Sequence, residues 1–177
     1  DSQATGNRLK SYVESWLPKN VKPNSKVFFY FSGRGLASGD LKEAALMPWD
    51  GDAQFAETGY PVKRLYQKLG ALKVKQAVVA MESSFAGAGL ERELGRVVAL
   101  SAAQGDEVSG VEETQGHGLF TYHLLRAFNE PSGRGNLMQV FDYLKPKVSD
   151  AARRSSRSQT PVLSGVDAHQ IVVKSAL

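Results

Sequence analysis

Hydrophobic positions follow two rhythms along this chain. In "RLKSYVESWL" (8–17), Leu9, Tyr12, Val13, Trp16 and Leu17 recur at helical spacing, giving an amphipathic helix that Pro18 and "KNVKPNSK" (19–26) are expected to end. "KVFFYFS" (26–32) is instead continuously apolar and rich in β-formers, the pattern of a strand covered on both faces. "PVKRLYQKLGAL" (61–72) returns to the helical period, and "KQAVVAME" (75–82) and "RVVALSA" (96–102) repeat the strand pattern. "AALMPWDGD" (44–52) is a short extended piece ending in a turn, where Asp50 is a turn-former rather than a ligand contact. Helices follow at 119–129 and 136–154, with Pro146 expected to kink or split the second. "HQIVVK" (169–174) closes the chain as a strand.

Strands alternating with helices predict an α/β fold, a mostly parallel sheet with helices on both faces. Phe29, Phe31, Val78, Val79, Val97 and Val98 are its expected core, with strands 26–32, 76–82 and 96–101 adjacent and parallel. The loops 33–40, 82–89 and 102–116 all follow strand C-terminal ends, the edge where open α/β sheets bind ligands.

Bulk composition narrows the function. The 177 residues suit one domain, with apolar and charged shares of 42% and 23% typical of a soluble protein. Lys+Arg 22 against Asp+Glu 18 gives 22 − 18 = +4. The excess is spread out except in "ARRSSRS" (151–157), which reads as a solvated helix end rather than a nucleic-acid stripe. There is no cysteine and no apolar run near the ~20 residues of a membrane span. The chain begins with Asp1 rather than Met, so it does not disclose its compartment. "FAGAG" (85–89) at a helix start invites an anion on backbone N–H groups, but the phosphate-loop lysine and the dinucleotide glycine pattern are absent. No cofactor is implied, and no histidine pair has metal-ligand spacing.

The segments "VFFYFSGRG", "LMPWD", "VVAMESSFAGAG", "ALSAAQGDEVS", "GHGLFTYHLL" and "SQTPVL" occur in the order seen in caspase-like cysteine peptidases. The chain resembles that family from about residue 8 onward, near its bacterial metacaspase branch. The resemblance implies a caspase-hemoglobinase α/β fold and peptide cleavage by a His/Cys dyad. The dyad positions here carry Arg34 and Ser84, and the acid before the nucleophile becomes Glu82. In basic-specific members that acid and another in the loop after the next strand line a pocket for Arg or Lys; the matching positions are Glu82 and Asp106. The alternative is that Arg34 pairs with Glu82 and fills the cleft from within. No counterpart of the family's first strand and helix precedes 8–17. The resemblance therefore implies an open edge on 26–32, met by a separate N-terminal fragment or a second copy.

A serine hydroxyl needs a neighbouring base, and a guanidinium has no acceptor. A single exchange of Cys for Ser would explain Ser84 but not Arg34. His117, His123 and His169 read as structural. Two losses on one dyad point to a pseudopeptidase that binds a protein or peptide, with basic segments as candidates. The alternatives are a residual serine hydrolase, or a peptidase cleaving after Arg or Lys before the dyad changed, and an interaction domain with a vestigial cleft.

Overall fold

The computed structural model describes residues 2–37, 43–84, 96–112, 116–130, 135–165 and 167–173. The first helix is capped by Thr5, whose hydroxyl accepts Arg8 N–H at 3.3 Å. It runs as α1 (Gly6–Ser11), a π turn at Tyr12–Trp16 and α2 (Leu17–Asn20). The helix runs past Pro18 and ends at Asn20, inside the stretch expected to stop it. Leu17 N–H reaches back five residues to the Tyr12 carbonyl, a wider turn that makes room for a proline ring and its missing donor. Glu14 in that turn accepts both Arg64 N–H groups, at 2.6 and 2.7 Å, and the Tyr60 hydroxyl at 3.0 Å, tying this helix to the next.

Next come β1 (Lys26–Ser32), β2 (Gly35–Ala37), β3 (Ala44–Leu46), β4 (Tyr60–Pro61) and α3 (Val62–Gly70). β5 (Gln76–Glu82), β6 (Val97–Ser101), β7 (Val111–Glu112), β8 (His117–Gly118) and α4 (Leu119–Asn129) follow. β9 (Gly135–Asn136), α5 (Leu137–Arg154), β10 (Val162–Ser164) and β11 (Val172–Val173) are the last elements among the described residues. The central sheet has the order β1-β5-β6-β10. β1 pairs with β5 and β5 with β6, both parallel, as the apolar runs predict; β10 adds antiparallel to β6. β2-β3-β4 form a small antiparallel sheet beside it.

Strand alternation sorts the core into two layers. Val27, Ala77, Val79, Met81 and Val97 meet Val13 and the α3 residues Leu65, Tyr66 and Leu69. On the other face Val78, Ala80, Val98 and Leu100 meet Phe120 and Leu124 of α4 and Val140, Leu144 and Val148 of α5. No helix among the described residues is long and apolar enough to cross a membrane.

Three expectations need correction. Of the kink or split expected at Pro146, the split does not occur: α5 is one helix, capped by the reciprocal Asn136–Gln139 box and anchored by Leu144 and Val148 on either side of the proline. The closing strand shrinks to Val172–Val173, preceded by a 3₁₀ turn at Ala168–Gln170. β1 is not covered on both faces: Phe28 and Tyr30 are exposed and Phe29 and Phe31 only half-buried, since among the described residues β1 ends the sheet.

Two measurements check this packing. Val79 is fully buried, so Val79→Asp should cost about 4 kcal/mol or more in urea unfolding, a large part of a domain's usual stability. His123 is buried on α4, and among the described residues its Nδ1 has no hydrogen-bond partner. Burial lowers its pKa below the ordinary 6.5, helped by Arg126 and Lys147 and opposed by Glu112. The unfolded chain therefore takes up the proton first, and stability should fall as pH drops below 6.5 toward the folded-state value. His123→Phe should remove that part of the pH dependence, read from the urea midpoint.

Candidate functional site

β1 and β5 end side by side, so the loops that follow them meet. Gly33 N–H donates to the Glu82 carbonyl at 3.1 Å, one rung beyond the ladder. Gly35 lies directly against the second loop. A Cβ there would stand 2.2 Å from the Ser84 carbonyl oxygen and 2.3 Å from Ser83 Oγ, so the close approach excludes any side chain. Between these glycines the Arg34 carbonyl accepts Met47 N–H at 2.9 Å, and its side chain is exposed.

Ser84 is half-buried, and its Oγ accepts the N–H of Ser109 at 3.2 Å. Ser83 is buried and donates from its hydroxyl to the Ser84 carbonyl. Among the described residues no histidine bonds Ser84. His117 is exposed on β8, His123 is buried on α4 and His169 is exposed in the 3₁₀ turn.

Glu82 carries the densest interactions of the cleft. Its carboxyl is 5% exposed at the end of β5, on the face that meets α4. One oxygen accepts the Ser109 hydroxyl; the other accepts Thr121 N–H at 2.6 Å. Thr121 is the third residue of α4, whose N-cap, Gly118, has no side chain to offer. Glu82 thus supplies from the sheet the anion that a helix N-terminus favours. Gly118 makes the space: a Cβ there would sit 2.3 Å from the Glu82 carboxyl carbon. Burial pushes the Glu82 pKa above its ordinary value, against the pull of Ser109 and Thr121.

The pairing of Arg34 with Glu82 is not found, because α4 and Ser109 occupy the carboxylate while Arg34 turns to solvent. Glu82 and Ser84 are brought together through their shared partner Ser109. Asp106 is exposed on the turn at Gly105, unlike the buried Glu82. "FAGAG" lies outside the described residues. Among the described residues no group of histidines and acids is placed to hold a metal ion.

Sequence reasoning missed the residues that hold the third loop in place. Ser109 contacts both Glu82 and Ser84. Gln159, buried, accepts Gly110 N–H at 2.8 Å and donates to the Ala102 carbonyl at 3.1 Å. Glu107 accepts from the Thr160 backbone and hydroxyl at 2.6 and 3.0 Å. The signal lay in "SQTPVL", whose Gln159 and Thr160 brace this loop from below.

The family description "Caspase domain" matches residues 1–170 of the chain. A crystallographically solved protein from Geobacter sulfurreducens superposes with a TM-score of 0.64 at 15% identity, covering 98% of this chain and 78% of its own, a likeness of fold. No curated protein matches the chain.

If Glu82 anchors α4, its loss is a stability effect. Glu82→Ala should cost about 2–3 kcal/mol in urea unfolding, by stranding Thr121 N–H and the Ser109 hydroxyl; Glu82→Gln should cost less. Gly118→Ala should also destabilise, and combining it with Glu82→Ala should cost less than the sum of the two, a non-additivity that measures the contact.

Proposed function

Because the chain belongs to the caspase-domain family, we propose that it is a peptidase fold without peptidase chemistry, working as a binding, regulatory or scaffolding module for a protein or peptide. The observation that carries the reading is the partner set of Ser84. Its Oγ is used as an acceptor by Ser109 N–H, and the position that resembles the family's base is an exposed Arg34. A guanidinium has no lone pair to take the hydroxyl proton and stays charged. The serine is therefore a weak nucleophile at neutral pH.

Recognition of basic segments through Glu82 would require its carboxylate to leave Ser109 and α4, so in this reading Glu82 is a framework group. Asp106, exposed at the rim, is the acid that stays available to a cationic partner.

Reporter peptides ending in Arg or Lys test the reading. The chain should release no reporter above the buffer rate, and Ser84→Ala should change nothing. Cleavage abolished by Ser84→Ala would overturn it in favour of a serine hydrolase. Arg34→His with Ser84→Cys should restore little or no activity, because productive catalysis tolerates only ~0.5 Å of misplacement, while position 34 faces solvent and Ser109 N–H engages the side chain at position 84.

A further inference from the structure

Along the chain the positive excess looks spread out, but the fold gathers it. Residues 119–157 hold seven Lys or Arg against three Asp or Glu, 7 − 3 = +4, the whole excess of the chain. α4 and α5 make up most of that stretch and pack side by side over one face of the sheet. Three cations meet at the seam between them. Besides its burial, His123 of α4 feels the charges of Arg126 and Lys147, then Glu112 in the opposite sense, then Arg154, so these groups stand around one imidazole. Two of the cations rest on aromatic rings. The Lys147 ammonium lies 4.7 Å from the centre of the Tyr143 ring, and the Arg126 guanidinium 5.8 Å from that of Tyr122. Tyr122 in turn packs T-shaped against His123, with ring centres 5.0 Å apart. All three cations are exposed, and both tyrosines are half-buried.

A ring face positions a cation through its quadrupole and leaves the charge unneutralised. Arg126 is shared with Glu130 at 3.4 Å. Among the described residues Lys147 and Arg154 have no carboxylate partner, and Arg154 donates only to the Asp150 carbonyl, at 3.3 Å. Placed cations with charge to spare ask for an anion, and the acids nearby say which kind. Asp150 falls between Lys147 and Arg154 in the chain, and Glu130 sits on Arg126. A nucleic-acid backbone carries a charge at every nucleotide and would press phosphates onto those acids. A membrane surface calls for apolar side chains that insert, and here cations cover the rings. A polypeptide spaces its carboxylates and can set neutral residues opposite an acid. We propose that the α4–α5 seam docks an acidic segment of a partner protein, its Asp or Glu carboxylates meeting Arg126, Lys147 and Arg154. The seam uses none of the cleft residues, so the proposal goes beyond the reading of the cleft and does not depend on whether Ser84 is inert.

The probe is a fluorescein-labelled peptide of alternating glutamate and serine, long enough at ~3.3 Å per residue to span α5. Its anisotropy should rise and saturate as protein is added, and added salt should weaken the complex severalfold. Lys147→Glu with Arg154→Glu should weaken binding about tenfold or more. Lys73→Glu with Lys75→Glu, exposed before β5 and equal in charge change, should alter it less than about twofold. Tyr143→Leu should weaken binding severalfold and Tyr143→Phe should not, because the ring rather than the hydroxyl places Lys147. Lys147→Glu alone, at an exposed site, keeps the test decisive should Tyr143→Leu fail to fold. No saturable rise, equal weakening by the two charge-reversed pairs, or full binding by folded Tyr143→Leu would overturn the proposal. So would a single-stranded oligonucleotide or a phosphatidylserine vesicle that binds as tightly as the peptide at equal salt. Ser84→Ala should leave the titration unchanged, so a surprise in the peptidase assay and a failure here remain separate results.

Discussion

A buried carboxylate organises the C-terminal edge of the sheet. Glu82 ends β5, and an anion removed from water must find donors or lose its charge. It finds them on two other segments, the Ser109 hydroxyl from the loop after β6 and the Thr121 N–H in the first turn of α4. The contact is therefore three-way: sheet, loop and helix are fixed relative to each other by one side chain. It also dictates neighbours. Gly118 must lack a side chain to admit the carboxylate, and α4 begins with no cap of its own because the sheet provides one. The Leu119 N–H is met by the Gly110 carbonyl at 2.8 Å, which draws the same loop onto the same helix end.

The loops of the cleft are held by backbone contacts rather than by chemistry. Gly35 touches the Ser84 carbonyl so closely that the two strand ends keep their relation whatever side chains they display. This explains how a caspase-domain fold tolerates Arg34 and Ser84 at the positions resembling a dyad. Arg34 faces solvent and Ser84 accepts Ser109 N–H, while Ser83, Ser109, Gln159 and Glu107 supply further hydrogen bonds to main chain and to Glu82. Arg34 belongs to two features at once, standing at the mouth of the cleft and lining an open groove between β1 and the first helix.

That groove shows where the apolar pattern and the burial disagree. Phe28 and Tyr30 have the character of interior strand residues yet stay exposed. Tyr30 compensates by placing its hydroxyl 2.7 Å from Thr121 Oγ1, so β1 too is tied to the start of α4. Phe28 has no such polar handle, and the first helix holds Tyr12 and Trp16 over open space. A two-faced apolar edge of this kind is more costly to leave bare than a single exposed ring, and natural sheets normally cover or blunt it.

The sequence by itself determined the elements and their class. Continuous β-prone runs bounded by glycine and polar loops marked β1, β5 and β6 as parallel strands, though only β5 and β6 are buried as that pattern asks, and the helical spacing of 61–72 and 119–129 was unambiguous. It also placed Arg34 and Ser84 at the positions where the resemblance puts a base and a thiol. The course of the chain through Pro18 and Pro146 was not legible, because propensity speaks of isolated helices while caps and packed neighbours decide in context. The role of Glu82 was hidden for a similar reason. Its partners Ser109 and Thr121 lie 27 and 39 residues away, and no local pattern says that a strand-end acid will cap a distant helix. Only the tertiary structure could turn that carboxylate inward and Arg34 outward, since side-chain partners are set by which chain segments the fold brings within ~3 Å.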